Sequence, residues 1–74
     1  MYYLIEISTY NNGEPTAKAI YSYETSDEAT AAFYGKMRGA IVNVSYATEL
    51  CMIVDGRGAV QRYEYWERYT DERE

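Results

Sequence analysis

The aromatic and basic side chains are the residues of this chain that could do chemistry, and that chemistry is binding. The sequence holds ten tyrosines and one tryptophan in 74 residues, with seven lysines and arginines. Aromatic rings stack on nucleobases, and cationic groups pair with phosphates. We therefore predict a ligand-binding surface. Its residues are Tyr34, Gly35, Lys36, Arg38, Gly39, Arg57, Arg62, Tyr63, Tyr65 and Trp66.

The same aromatic residues have a second interpretation, in which they pack the core and a contact between subunits. Tyrosine favours strands, and it is enriched where proteins contact one another. On this interpretation Tyr63 and Tyr65 fill an interface and touch no small ligand. The amino-acid composition is compatible with both interpretations.

Residues for catalysis or for metal binding are scarce. The sequence has no histidine and a single cysteine, Cys51. The commonest general base is therefore missing, and an internal disulfide or a zinc site within one chain is excluded. Cys51 stands in an apolar run, where we expect a buried and unreactive thiol. We predict a protein that is not an enzyme, without metal or cofactor.

The charge balance points away from nucleic-acid duplexes and membranes. A formal net charge of −5 does not fit the basic surface of a duplex-binding protein. No apolar run is long enough to span a bilayer, and no basic leader precedes the first strand. We expect a cytoplasmic protein. Its acidic residues either serve solubility or mimic nucleic acid to block a basic protein surface.

One stretch, residues 25–42, predicts the single helix of the chain. Thr25 and Glu28 form a capping-box pattern at its start. Apolar residues then recur at spacings of three and four, which predicts a core-facing stripe. Its members are Ala29, Phe33, Met37, Ala40, Ile41 and Val44.

The opposite side of this helix carries Gly35 and Gly39, a strip of small residues. Each glycine costs a helix about 1 kcal/mol relative to alanine, so a reason for two is needed. Either the strip lets a flat ligand or a second subunit approach closely, or Gly39 simply ends the helix.

Alternating and turn-forming residues predict two hairpins, one on each side of the helix. Strands are predicted over 2–10 and 16–24, joined by Asn12-Gly13, and over 48–54 and 59–69, joined at Asp55-Gly56. In the first strand, the set Tyr3, Ile5 and Ile7 is the more apolar, and we predict that it faces the core.

These elements give an α+β fold of ββαββ order: one four-stranded antiparallel sheet with a single helix packed on one face. Residues 1–70 form one domain, and residues 71–74 form a charged tail. A chain this short has a marginal core, and proteins of this size usually gain stability from disulfides, a bound metal or oligomerisation. Because this sequence has no disulfide and no metal site, oligomerisation remains. We therefore predict a homo-oligomer, with the tyrosine-rich sheet face as an interface.

Five segments together resemble a family of small uncharacterised proteins encoded by phages and prophages. They are YYLIEISTY, AKAIYSYETSDEA, the helix segment from Met37 to Ala40, ELCMIVDG and EYWERY. The resemblance implies an accessory phage protein in the host cytoplasm that counters host defence. It would sequester a small nucleotide-type signal, or alternatively inhibit a host defence nuclease or sensor. A third expectation is a structural or assembly subunit of the phage.

Overall fold

The chain forms five elements in the predicted order. The computed structural model describes residues 1–69, so the tail predicted for 71–74 lies outside the described residues. The elements are β1 (Tyr2–Tyr10), β2 (Ala17–Tyr23), α1 (Ser26–Val42), β3 (Tyr46–Asp55) and β4 (Val60–Glu67). All strand pairs are antiparallel, in the order β2-β1-β3-β4. The helix packs on one face of this sheet, which confirms the predicted α+β class.

The start of the helix is capped as the sequence predicts. The Thr25 hydroxyl accepts a hydrogen bond from the backbone N–H of Glu28 at 3.1 Å. This bond satisfies one of the amides that have no partner inside the helix. Gly39 lies inside the helix, because α1 continues to Val42 and the Asn43 N–H donates to the Gly39 carbonyl. The interpretation that Gly39 ends the helix is therefore wrong.

The end of the helix is held by an arginine from the far end of the chain. No basic residue stands in the last turn of α1. The Arg68 guanidinium instead donates hydrogen bonds to backbone carbonyls at the helix end. Its Nη2 donates to the carbonyls of Ala40, Ile41 and Asn43 at 2.9–3.1 Å. Its Nε donates to the carbonyl of Tyr46 at 2.8 Å. It also lies 4.7 Å from the centre of the Trp66 ring. This arrangement, the Arg68 clasp, places a cation where the helix dipole is negative.

The core lies between α1 and the two central strands. Leu4 and Ile53 face each other across β1 and β3, and Phe33 and Met37 cover them from the helix. Leu4 is 0% exposed. The predicted core face of β1 is wrong: Leu4 points to the helix, so Tyr3, Ile5 and Ile7 point the other way. Glu6 and Ser8 share the face of Leu4, and these polar residues made it look like the outer one.

Two members of the predicted helix stripe also lie outside the core. Ile41 is 44% exposed and Val44 is 76% exposed. Ala40 fills the last covered position of the helix, and Ile41 is turned about 100° away from it. Val44 stands beyond the end of α1.

The two hairpin turns depend on glycines with positive φ angles. Gly13 has φ +86° in the first turn, but Asn12, for which the Asn-Gly pattern also predicts a positive φ angle, does not adopt one. In the second turn the positive angle is at Gly58 (φ +88°) and not at Gly56. The Asp55 carboxylate accepts from the N–H groups of Arg57 and Ala59, at 2.9 and 3.0 Å. These bonds hold the pKa of Asp55 below its usual value. The role of the Asp55 carboxylate is therefore to stabilise the turn.

The second face of the sheet is not covered by any described element, and we name it the open face. Its register follows from the strand pairing, which places Ile5 between Ile20 and Met52 and places Tyr63 beyond Met52. The side chains on the open face include those of Tyr3, Ile5, Ile7, Lys18, Ile20, Leu50, Met52, Val54, Tyr63 and Tyr65.

Candidate functional site

A cleft of about 270 Å³ opens on the helix side of the sheet, between α1, β1 and β2. Ala17 and Ala19 lie on the floor of this cleft, and their small side chains leave space that larger residues would fill. We name it the Glu6 cleft. Its lining residues are Glu6, Ser8, Tyr10, Ala17, Lys18, Ala19, Tyr21, Lys36 and Tyr46.

A carboxylate, a lysine and a tyrosine form the polar part of this cleft. Lys36 Nζ lies 3.5 Å from Glu6 Oε1 and 4.1 Å from the centre of the Tyr21 ring. The Tyr21 hydroxyl donates to the same Glu6 oxygen at 3.4 Å. Burial lowers the pKa of Lys36, but the hydrogen bond with Tyr21 and the charge of Glu6 outweigh it and raise the pKa overall. Lys36 therefore stays charged.

A second carboxyl group, that of Glu49 on β3, lies buried behind the cleft. Glu49 is 0% exposed. The Ser8 hydroxyl donates to Glu49 Oε1, and the Cys51 thiol donates to Oε2 at 3.4 Å. Burial, followed by the hydrogen bond with Glu6, raises the pKa of Glu49 to about 7. Near neutral pH Glu49 is therefore protonated for much of the time.

The thiol next to this pair is closed off. Cys51 is 0% exposed, which confirms its predicted burial. Burial, with the nearby charge of Glu49, raises the pKa of the thiol to about 12. Because thiolate is the nucleophilic form, Cys51 is unreactive at neutral pH.

Aromatic rings form the other side of the cleft. Tyr10 and Tyr46 meet edge to face, with 4.9 Å between ring centres. A hydrogen bond with Tyr10, together with burial, raises the pKa of Tyr46, so its phenol keeps its proton. These rings add apolar surface to a cleft whose lining is otherwise mostly polar.

The structure does not bring the ten sequence-predicted site residues together. Only Lys36 lines the Glu6 cleft. Arg62 and Tyr34 meet on the helix side, where Arg62 Nη1 donates to the Tyr34 hydroxyl at 3.1 Å. Trp66 packs against the core and carries Arg68. The remaining six are exposed at three places: Tyr63 and Tyr65 on the open face, Gly35, Arg38 and Gly39 on α1, and Arg57 in the β3–β4 turn.

The polar residues in and behind the cleft that sequence reasoning missed are Glu6, Ser8 and Glu49. One signal for it exists in the sequence, since Glu6 and Ser8 stand two and four residues after Leu4 and so share its face. Assigning the face of Leu4 to the core would have buried both polar residues and required a partner for each. Glu49 provides that partner from another strand, and the sequence alone does not show this pairing.

The glycine strip on α1 is open in the described structure. A Cβ atom added at Gly35 or at Gly39 meets nothing within 4 Å. We therefore expect Gly35→Ala to raise the free energy of unfolding by up to about 1 kcal/mol, because alanine is the better helix former. Urea unfolding followed by circular dichroism measures this change. A loss of stability would instead show that a second chain or a ligand packs against the strip.

No helix among residues 1–69 is long and apolar enough to cross a membrane. Comparisons with protein-family models, with curated proteins and with solved structures gave no match. The function is therefore argued from the chemistry of the Glu6 cleft.

Proposed function

We propose that the protein binds a small nucleotide-type ligand in the Glu6 cleft, holds it by its base, and leaves it chemically unchanged. The observation that carries this proposal is a partly exposed carboxylate set among tyrosine rings in a concave site. Carboxylate oxygens accept hydrogen bonds from the amino groups of nucleobases, and tyrosine rings offer apolar surface to planar groups. The ligand therefore needs a planar ring system that bears N–H donors.

The size of the cleft fits one such group. A volume of about 270 Å³ lies just below the range of about 300–1,000 Å³ that is usual for pockets of drug-sized ligands. A single base enters such a space, whereas the sugar and phosphates stay at its margin. Glu6 meets the donor edge of the base, while Tyr10, Tyr21 and Tyr46 contact its faces and edges.

We expect the phosphate of such a ligand to stay at the rim of the cleft. A phosphate on the floor would face Glu6, and also Glu49 whenever that residue is ionised. Lys36, whose side chain is 28% exposed, lines the cleft and supplies positive charge nearer to solvent. The base therefore enters first, and the phosphate pairs with Lys36.

The arrangement favours binding over catalysis. A general acid or base must reach the reacting group of a bound molecule, but Glu49 is 0% exposed. The possible nucleophiles are also covered, since Ser8 is 2% and Cys51 is 0% exposed.

Sequestering a host defence nucleotide would be the use of such a cleft in a phage-encoded protein. This part of the proposal rests on the resemblance of the sequence to phage and prophage proteins. The alternative, an inhibitor that presents an acidic surface, has less support from the described residues. Carboxylates lie, among other places, at the helix start (Asp27, Glu28), in a turn (Asp55), in the cleft (Glu6) and buried behind it (Glu49).

Isothermal titration calorimetry of the full chain tests the proposal. The panel contains the four common nucleoside monophosphates, a cyclic nucleotide and ADP-ribose, with ribose 5-phosphate and inorganic phosphate as probes that lack a base. We expect at least one ligand with a base to bind, and the probes without a base to bind far more weakly. Glu6→Gln is expected to weaken binding about 10- to 100-fold, the usual effect of losing a hydrogen bond to a charged group.

Glu64→Gln is the matched control. Glu64 lies in the same cross-strand row as Glu6, with Cys51 between them, but it is exposed and outside the cleft. This variant should bind as tightly as the original chain. The proposal is overturned if no nucleotide binds, if inorganic phosphate binds equally well, or if both variants weaken binding to the same degree.

A further inference from the structure

The open face of the sheet carries two rows of side chains that cross all four strands and are apolar except for Lys18. The first row runs Ile20, Ile5, Met52, Tyr63, and the second runs Lys18, Ile7, Leu50, Tyr65. The outer members are strongly exposed: Ile20 at 70%, Tyr63 at 58% and Tyr65 at 48%. Contiguous apolar surface of this kind on a small protein marks a contact with another molecule.

The area of this face suits a contact between two chains. Four strands spaced about 4.8 Å apart, each with about seven paired residues, give a flat footprint of roughly 450 Å². Projecting side chains raise the accessible area above that footprint, toward the about 600 Å² per partner at which stable interfaces begin. A short peptide strand would leave most of this width uncovered.

We propose that a second copy of this chain covers the open face, with the two sheets packed face to face about a two-fold axis parallel to the strands. That axis runs between β1 and β3. It places β2 of one copy over β4 of its partner, and β1 over β3. Sheets packed in this way lie about 10 Å apart, with their inward side chains interleaved.

The rows are complementary to themselves under this symmetry. In the first row Ile20 meets Tyr63 and Ile5 meets Met52, so only apolar groups are opposed. In the second row Lys18 meets Tyr65, where an ammonium group over a ring is favourable. A two-fold axis perpendicular to the strands would instead place β2 on β2 and bring Lys18 over Ile20, which buries the charge without a partner.

A charge-pair experiment tests both the face and the symmetry. Ile20→Glu and Tyr63→Lys each place a charge in the contact, and each replaces a residue that is more than half exposed in the single chain. Each variant should therefore stay folded and elute as a monomer, whereas the original chain elutes as a dimer by size-exclusion chromatography with light scattering. The double variant should regain the dimer, since the two new side chains meet across the interface.

This rescue cannot arise within one chain, because positions 20 and 63 lie three strands apart, about 14 Å. Val44→Glu is the control: Val44 is 76% exposed, but it stands in the α1–β3 connection, and the variant should remain a dimer. A monomeric original chain, or a dimer that survives Ile20→Glu, would overturn the proposal. If the double variant stays monomeric, the β2-over-β4 arrangement is wrong.

Discussion

Replacing Phe33 by alanine is expected to lower the free energy of unfolding by about 3–5 kcal/mol. Phe33 is 3% exposed and packs with Leu4 and Ile53 between helix and sheet. Removing its ring deletes the largest apolar group that the helix inserts into the core, and the alanine leaves a cavity there. Proteins are stable by only about 0.05–0.15 kcal/mol per residue, so a chain of 74 residues loses much of its stability. Urea unfolding followed by circular dichroism measures the loss.

Tyr34→Ala is the matched control for this experiment. Tyr34 is the next residue along the helix, but it is 56% exposed. Its loss removes an exposed hydrogen bond from Arg62, and the change in unfolding free energy should stay within about 1 kcal/mol. Equal losses in the two variants would contradict the assignment of the core face of α1.

Replacing Glu49 by glutamine is expected to remove a pH dependence from the stability of the protein. The pKa of Glu49 is raised from 4.5 to about 7 in the folded chain, so the folded state binds the extra proton. The resulting stability is fully present below about pH 4.5 and is lost as the pH rises through about 7. The loss amounts to as much as about 3 kcal/mol. At pH 8, Glu49→Gln should therefore be the more stable protein.

The glutamine amide oxygen can accept from Ser8 and its NH2 group can donate to Glu6, so the variant loses only the weak bond from the Cys51 thiol, which an NH2 group cannot accept. Unfolding in urea at pH 5, 6, 7 and 8 should show a falling stability for the original chain only. Comparing the two proteins cancels the other titrating groups. Asp55, whose pKa is lowered, contributes with the opposite sign and at lower pH. Parallel curves for the two proteins would show that Glu49 holds no proton in the folded state.

The elements of the fold could be predicted from sequence because their causes are local. Thr25 and Glu28 set the start of the helix, and Gly13 supplies the positive φ angle of the first turn. Each of these signals acts over a few residues, so it survives without knowledge of the tertiary structure. The second turn shows the limit of this reasoning, because its positive φ angle falls at Gly58 and not next to Asp55.

The inner face of β1 could not be predicted from apolar content. Both faces of this strand carry large apolar residues, and the buried face also carries Glu6 and Ser8. A polar residue is tolerated under a helix when another strand supplies its hydrogen-bond partner. Glu49 provides that partner 41 residues after Ser8, a separation that no periodicity reveals.

The predicted binding residues were scattered for a related reason. Spacing along a strand fixes which side chains share a face, but not which element covers that face. The alternation along β4 puts Tyr63 and Tyr65 on one face and Arg62 and Trp66 on the other, as predicted, but only the structure shows that the helix packs on the side of Arg62 and Trp66. The cleft depends on small residues of β2 next to a lysine of α1, and this combination exists only after folding.

The Arg68 clasp has a consequence for the order in which the protein can open. The carbonyls of Ala40, Ile41 and Asn43 are satisfied by a residue that follows them by 25–28 positions. If the end of β4 detaches, these carbonyls lose their donor at the same moment, and the last helical turn is left to fray. The helix end and the final strand therefore open as one cooperative unit. During synthesis, that turn stays incomplete until the chain has grown past Arg68.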